Sequence, residues 1–129
     1  ITIGPDGMPH PMPMNYGIDA AGRVLLSTFR KSQKVRNLER DPRASLLVES
    51  GENYHALKSA VLYCDVEILG DPDEVSAAMA LILADGQMAG SISAAMNAQV
   101  RASVAKRVVL RLTPYRTISW DHAKLASHY

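Results

Sequence analysis

The chain has 129 residues, of which 47% are hydrophobic and 21% charged, and its formal net charge is +1. This composition excludes a disordered chain, and the near-zero net charge argues against a dedicated nucleic-acid binder. No apolar run approaches the roughly 20 residues that cross a bilayer, so we expect no membrane partner. The length fits one domain over residues 1–129, and the single cysteine, Cys64, favours a cytoplasmic location.

The first quarter of the chain predicts short, irregular strands joined by tight turns. Residues 4–7, Gly-Pro-Asp-Gly, combine a fixed proline φ with glycines that accept positive φ. Residues 8–18 carry three prolines, so a strand there should be an irregular edge or begin near Pro13. After a second turn at residues 19–22, residues 23–29 form a short apolar strand, and the two segments are expected to pair as a hairpin.

A basic helix follows this strand. Ser32 is placed to cap a helix that runs to Arg40, with Val35 and Leu38 buried and Lys34 facing out near the first turn. Asp41-Pro42 ends it. The segment from Arg30 to Arg43 holds six basic residues and two acidic ones, a strong local excess in a chain of net charge +1.

The remaining chain predicts strands with two helices inserted among them. We expect strands over residues 43–50, 54–69, 106–113 and 116–120, the last two separated by Pro114, and helices over 74–84 and 91–105. No repeat or linker marks a domain boundary. The pattern predicts a mainly β fold, an antiparallel barrel with peripheral helices.

The start of the basic helix is a candidate phosphate site. A phosphate needs short hydroxyls, backbone N–H groups and a fixed cation, and this turn offers all three. The candidates are Thr28, Lys31, Ser32, Gln33 and Lys34. The alternative is that Ser32 merely caps the helix while the cations form a solvated face, and composition alone favours that alternative because no G-x-x-x-x-G-K-[ST] motif is present.

Other residues give weaker indications. The four histidines lack metal-binding spacing, so we expect no metal site. Cys64 lies mid-strand, where a small buried hydrophobic residue is expected rather than a nucleophile. The methionines at positions 8, 12 and 14 either line a flat ring pocket or fill the core. Trp120, the single tryptophan, is either a core or interface anchor or a ring that stacks on a ligand.

Three motifs carry a family resemblance: TIGPDGMPH at the start, KSQKVRNLERDPR in the middle and SWDHAKL near the end. They resemble the pyridoxamine-phosphate-oxidase-like split β-barrel flavoproteins, and most closely the branch that uses the deazaflavin coenzyme F420. The resemblance implies a six-stranded antiparallel split barrel that forms a homodimer, with cofactor sites at the dimer interface.

The resemblance also implies which residues bind the cofactor. The family's phosphate-binding positions fall on Thr28, Ser32, Gln33 and Lys34, with Lys31 adjacent, and its ring-contacting strand falls on Pro13, Met14 and Asn15. Trp120 matches a C-terminal tryptophan that lies near the site of the other subunit. Gln33 stands where the pyridoxamine phosphate oxidases carry an arginine, which leaves Lys34 as the main phosphate cation.

The function that the resemblance implies is F420-dependent hydride transfer to an unsaturated organic acceptor. A flavin mononucleotide (FMN) oxidase or reductase is the alternative from the same fold, because both cofactors present a phosphate to the same turn. An alternative of another class is a carrier or sensor that binds the cofactor without turnover. No acid or base residue is assigned, because the cofactor carries the chemistry.

Overall fold

The computed structural model describes residues 1–85, 98–99 and 102–127. Within these ranges the strands are Thr2–Ile3 (β1), Pro9–His10 (β2), Gly17–Ile18 (β3), Val24–Phe29 (β4), Arg43–Ser50 (β5), Lys58–Leu69 (β6) and Arg107–Asp121 (β7). The helices are Gln33–Arg40 (α1) and Pro72–Asp85 (α2). Short 3₁₀ turns occupy Tyr54–Ala56, Val104–Lys106 and His122–Ser127.

The strands form two antiparallel sheets. β1 and β2 pair as a small hairpin, and the other five strands form one sheet in the order β3-β4-β7-β6-β5. This arrangement confirms the mainly β, antiparallel fold class with peripheral helices that the sequence predicts. Three of the strands are only two residues long, since prolines and turn residues crowd the first 22 positions.

The five-stranded sheet is packed on both faces along part of its length. On one face, α1 covers a core in which Val35 and Leu38 meet β4, β6 and β7. On the other face, α2 covers Leu25 and Val109 with a second core built around Val75. Alternate residues of β4 and β7 enter the two cores in turn, as the twofold periodicity of a strand requires.

The prediction of two separate strands around Pro114 is wrong, because β7 runs through this proline without ending. The register explains how: Cys64 pairs with Pro114 and Tyr63 pairs with Arg116, which leaves Tyr115 as an extra, bulged residue. A bulge is one of the few places in a sheet where a residue without an N–H is tolerated.

Of the two alternatives for residues 8–18, the irregular edge is confirmed, because β2 and β3 are short strands at sheet edges. The alternative that a strand begins near Pro13 is wrong. Residues 11–16 have no strand structure, and β3 begins only at Gly17. The hairpin itself is confirmed, because Gly17 pairs with Leu25 and the turn closes at Gly22 with φ of 78°. A Cβ at Gly17 would lie 2.9 Å from the backbone nitrogen of Ile82, so glycine lets α2 pack closely on β3.

Other boundaries follow from local hydrogen bonds. The predicted strand over 54–69 begins later, at Lys58, since the Ala56 N–H closes a 3₁₀ turn on the Asn53 carbonyl instead of joining the ladder. α2 begins at Pro72 because Asp71 Oδ1 accepts from the N–H groups of Asp73 and Glu74, at 3.0 and 3.2 Å. The helix predicted over 91–105 lies largely outside the described residues.

Within the described residues, no helix has the length and apolar character that crossing a membrane requires.

Candidate functional site

The connection between β4 and α1 gathers three polar side chains. Thr28 lies near the end of β4 and is buried, and its Oγ1 is 3.4 Å from Oγ of Ser32. The Lys34 Nζ donates a 3.0 Å hydrogen bond to the same Thr28 Oγ1. The side chain of Lys34 therefore turns back over the strand end, and the prediction that it faces out into solvent is wrong.

The start of α1 is open to a ligand. Ser32 is the N-cap residue, yet its side chain makes no capping hydrogen bond to the helix. The first N–H groups of a helix have no partner within the helix, and here the usual side-chain cap does not cover them. Two hydroxyls, an ammonium group and a helix N-terminus thus lie together, which is the donor set that a phosphate prefers.

Lys34 is a partly buried cation with no described carboxylate beside it. Partial burial lowers the pKa of its ammonium group below the usual value of 10.5. The four ion pairs found among the described residues all involve other groups, so no described carboxylate lies within 4.0 Å of Lys34. A bound phosphate would supply the missing charge and reverse the shift in pKa.

The other two candidates at this turn behave differently. Lys31 is exposed, so its charge is held less firmly than that of Lys34. Gln33 is the first residue of α1, and its side-chain amide points along the helix, where Nε2 donates to Asn37 Oδ1 at 2.9 Å. The backbone N–H of Gln33 can therefore donate to a ligand at the turn, while its side chain is hydrogen-bonded to Asn37.

The candidates for the ring lie in the connection between β2 and β3, and they are Pro13, Met14 and Asn15. Met14 is partly buried against the core under α1, whereas Met8 and Met12 are 64% and 48% exposed, so core filling accounts for Met14 alone. A cavity of about 40 Å³ lies beside Met14, Met12 and Lys34. Such a volume holds a water or two, whereas sites for drug-sized ligands measure about 300 Å³ or more.

Trp120 lies far from the phosphate candidates within one chain. Thr28 pairs with Val108 at the start of β7, and Trp120 is twelve residues farther along the same strand. At about 3.3 Å per residue, this is roughly 40 Å of strand. Trp120 is 42% exposed, which excludes a role in the core of its own chain.

The remaining candidates have structural roles. Cys64 is fully buried in the core under α1, and burial raises the pKa of its thiol, so the prediction of a small buried residue is confirmed. His122 Nδ1 lies 2.8 Å from the Tyr54 carbonyl, and its ring packs against the Tyr54 ring. Among the described residues no group of three or more His, Cys, Asp or Glu side chains is placed to hold a metal ion.

Sequence reasoning did not single out three residues beside the site. Asn37 is fully buried on α1 and donates to Thr2 Oγ1, and the Nδ1 atom of His10 is buried without a hydrogen-bond partner among the described residues. Helical spacing could have identified Asn37, since it falls between Val35 and Leu38 on the buried side. Thr2 and His10 are the first and last residues of the TIGPDGMPH motif, but the motif does not indicate that they lie beside α1.

Comparisons with known proteins agree with this architecture. The family described as pyridoxamine 5'-phosphate oxidase matches residues 1–121. A conserved hypothetical protein from Mycobacterium tuberculosis is 37% identical, with a TM-score of 0.82 over 97% of this chain and 76% of that protein. Comparison with curated protein sequences gives no match.

Two further solved structures are similar to this chain but more distant. An F420 reductase is 25% identical, with a TM-score of 0.69 over 91% of this chain and 84% of that one. HutZ, the haem storage protein from Vibrio cholerae, is 16% identical with a TM-score of 0.66 over 91% of this chain and 80% of its own. At that identity the likeness to HutZ concerns the fold alone.

Proposed function

The chain belongs to the pyridoxamine 5'-phosphate oxidase family, and from that premise we propose that it is an oxidoreductase that binds a phosphorylated flavin-type cofactor. The observation that carries the proposal is the donor set at the β4–α1 turn, where the half-buried ammonium group of Lys34 faces no described carboxylate. F420 is the proposed cofactor, and hydride transfer to an unsaturated organic acceptor is the proposed reaction.

The residues present fit the phosphate of such a cofactor. One hydrogen-bonded cluster contains Thr28 Oγ1, Ser32 Oγ and Lys34 Nζ. Gln33 is the first residue of the helix beside this cluster and contributes its backbone N–H. Lys31 adds positive charge at the rim. A phosphate anion is attracted by the ammonium group and by the partial positive charge of the helix start, both in a partly desolvated setting.

The ring of the cofactor would lie over Pro13, Met14 and Asn15. The cavity of about 40 Å³ beside Met14 is too small to enclose a three-ring system. In this proposal the ring lies on the surface of one chain, where a second molecule can cover it. When bound, the cofactor supplies a hydride, and the chain's own contribution is to fix the ring and to keep water from it.

A second copy of the chain is the proposed cover. Leu47 on β5, Val61 on β6 and Ile118 on β7 are direct cross-strand partners, so they share one side of the sheet, and Trp120 lies two residues beyond Ile118 on that side. We call this surface the open face. Leu47 is 51% exposed and Ile118, on the other side of Val61, is 39% exposed, an unusual amount for aliphatic residues that lie together on one face of a sheet. We propose a homodimer through this face, which would bring Trp120 of the partner subunit toward the site.

The choice of F420 over FMN is supported by the likeness to the F420 reductase at 25% identity. FMN remains the second candidate, because the phosphate cluster suits either cofactor. The carrier or sensor without turnover is the third. The three candidate functions use the same phosphate cluster. They differ in which cofactor ring binds and in whether the bound cofactor then reacts.

One titration separates these candidates. Purified protein is added to F420 and, separately, to FMN, and the fluorescence of each cofactor is followed. The proposal predicts saturable binding of F420 and turnover of its reduced form with an electron acceptor. Tight FMN binding with no response to F420 would identify FMN as the cofactor. Binding without turnover of either reduced cofactor would identify the protein as a carrier or sensor. Binding of neither would overturn the proposal.

A further inference from the structure

Asn37 is a fully buried amide on the face of α1 that packs on the sheet. Its neighbours on that face, Val35 and Leu38, are apolar core residues. Nδ2 of Asn37 donates a 3.0 Å hydrogen bond to Thr2 Oγ1 on β1, and its Oδ1 accepts from Gln33 Nε2 at 2.9 Å. The amide therefore connects the N-terminal strand to the first residue of the helix.

A second contact joins the same two elements. At the other end of α1, the guanidinium group of Arg40 donates to the backbone carbonyl of Ile3. β1 is thus attached to α1 at both of its residues. β1 pairs with β2, with Thr2 opposite His10, and the chain leaves His10 directly into the segment that contains Pro13, Met14 and Asn15.

The two parts of the proposed cofactor site are consequently held by one helix. The phosphate turn lies at the N-terminus of α1, and the ring segment follows the hairpin that α1 holds through Asn37 and Arg40. Burying an amide is costly even when its hydrogen bonds are made, and an apolar side chain of similar volume would serve stability as well. A buried polar contact of this kind can instead specify one relative placement of the elements it joins.

We propose that Asn37 is a positioning residue that holds the ring-contacting segment in register with the phosphate turn. This inference rests on the proposed function, since it concerns the two halves of the same cofactor site. Asn37 itself touches no cofactor. Its loss should therefore weaken the cooperation between ring and phosphate more than it weakens binding of the ring alone.

The test compares each cofactor with its counterpart that lacks phosphate. FMN is compared with riboflavin, and F420 with its deazaflavin chromophore without the phosphate-containing tail, by fluorescence titration. In Asn37→Leu we expect the affinity ratio of phosphorylated to unphosphorylated ligand to fall by about fivefold or more, the lower end of typical coupling between two sites. Affinity for the unphosphorylated ligand should change less than about twofold.

Val35→Ala is the matched control. Val35 is 1% exposed on the same helix and makes no hydrogen bond through its side chain, so the variant loosens the core without touching the network. It should lower the thermal midpoint and leave the affinity ratio unchanged. If Val35→Ala lowers the ratio as much as Asn37→Leu does, Asn37 acts through stability alone and the inference fails.

Thr2→Val supplies a second, milder variant that keeps the test decisive if Asn37→Leu does not fold. It should lower the ratio in the wild-type background and add nothing in the Asn37→Leu background, because both remove the same hydrogen bond. An unchanged ratio in a folded Asn37→Leu or Thr2→Val variant would overturn the positioning role while leaving the proposed function in place. A wild-type chain that binds neither cofactor would overturn both.

Discussion

The five-stranded sheet has two halves that are covered differently. Around β4, the start of β7 and the end of β6, both faces are covered, one by α1 and the other by α2. Around β5, the start of β6 and the end of β7, the face opposite α1 carries exposed Leu47, Ile118 and Trp120. The first half completes its core within one chain, whereas the second has an apolar face that no described residue of the same chain covers.

The same division separates the predicted site residues. Thr28, Ser32 and Lys34 belong to the covered half, where packing fixes their geometry. Trp120 lies at the far end of the open half, roughly 40 Å along β7 from the partner of Thr28. One chain therefore brings the phosphate candidates together, and in the proposed dimer Trp120 would come from the second chain.

The largest effect should come from breaking the covered half. Leu110 is 2% exposed in the core under α1, so Leu110→Ala should lower the free energy of unfolding by about 2–5 kcal/mol. Leu47→Ala makes the same deletion on the open face. It should cost less than about 1 kcal/mol at low protein concentration, where unfolding is not linked to association. Urea titrations of both variants test the contrast, and equal losses would contradict it.

The open half is tested by placing a charge on it. Ile118 is 39% exposed, so Ile118→Glu should leave the single chain folded. In a dimer the carboxylate would be buried without a partner, so we expect association to weaken by about 2 kcal/mol or more. Analytical ultracentrifugation of wild type and variant measures this change.

Arg36→Glu is the control for Ile118→Glu. Arg36 is exposed on α1, away from the open face, so a carboxylate there should leave association unchanged. A wild-type chain that sediments as a monomer at all concentrations would contradict the proposed dimer. An Ile118→Glu variant that still dimerises would show that the interface does not include the open face.

The sequence predicts elements of both halves. In the covered half, residues 23–29 and 33–40 show an apolar pattern bounded by turn residues or by Asp41-Pro42, and the structure places β4 and α1 there. In the open half, β5 occupies the predicted residues 43–50. Local rules failed at Pro114 and around Pro13. At Pro114 the strand continues because β7 pairs with β6 on both sides of a bulge. Around Pro13 no strand forms until Gly17. Local sequence does not encode whether a distant strand is available for pairing.

The candidate site shows the same limit. Thr28, Ser32 and Lys34 are close in sequence, so local reasoning could group them. The direction of the Lys34 side chain could not be predicted, because its hydrogen bond to the buried Thr28 Oγ1 depends on how α1 packs against the end of β4. Thr2 and Asn37 are 35 residues apart, and only the folded chain brings them together.

Lys34→Ala tests the site itself with a smaller effect. Removing the ammonium group should weaken cofactor binding by at least about tenfold, or about 1.4 kcal/mol, without unfolding the chain. Arg36→Ala removes a cation two residues along the same helix that points into solvent, and it should change affinity less than about twofold. Fluorescence titration of both variants gives the comparison.

The pH dependence of the same binding sharpens this test. Partial burial lowers the pKa of Lys34, so its charge is lost at a lower pH than that of a free lysine. Cofactor affinity should fall as pH rises toward that pKa, and Lys34→Ala should abolish this dependence. An affinity that is equally sensitive to alkaline pH in the variant would assign the effect to another group.

The smallest expected effect lies where the two halves meet. Asp41 ends α1 and holds Arg43, the first residue of β5, through a pair of side-chain hydrogen bonds of 2.9 and 2.7 Å. These bonds lower the pKa of Asp41 from 3.8 to about 2. Because the pKa is lowered on folding, the ionised carboxylate stabilises the folded chain above pH 3.8, and this contribution disappears as pH falls toward 2.

Asp41→Asn keeps one side-chain oxygen to accept from the Arg43 N–H. It removes the negative charge and the second oxygen, which accepts from Arg43 Nη2. The wild type should therefore have the higher thermal midpoint near pH 6, and the difference should shrink toward zero at pH 2. The pair is solvent-exposed, so added salt should reduce the difference as well. A gap between the two midpoints that stays constant from pH 6 to pH 2 would show that the charge of Asp41 does not cause the difference in stability. The connection between the covered half and the open half would then not depend on this ion pair.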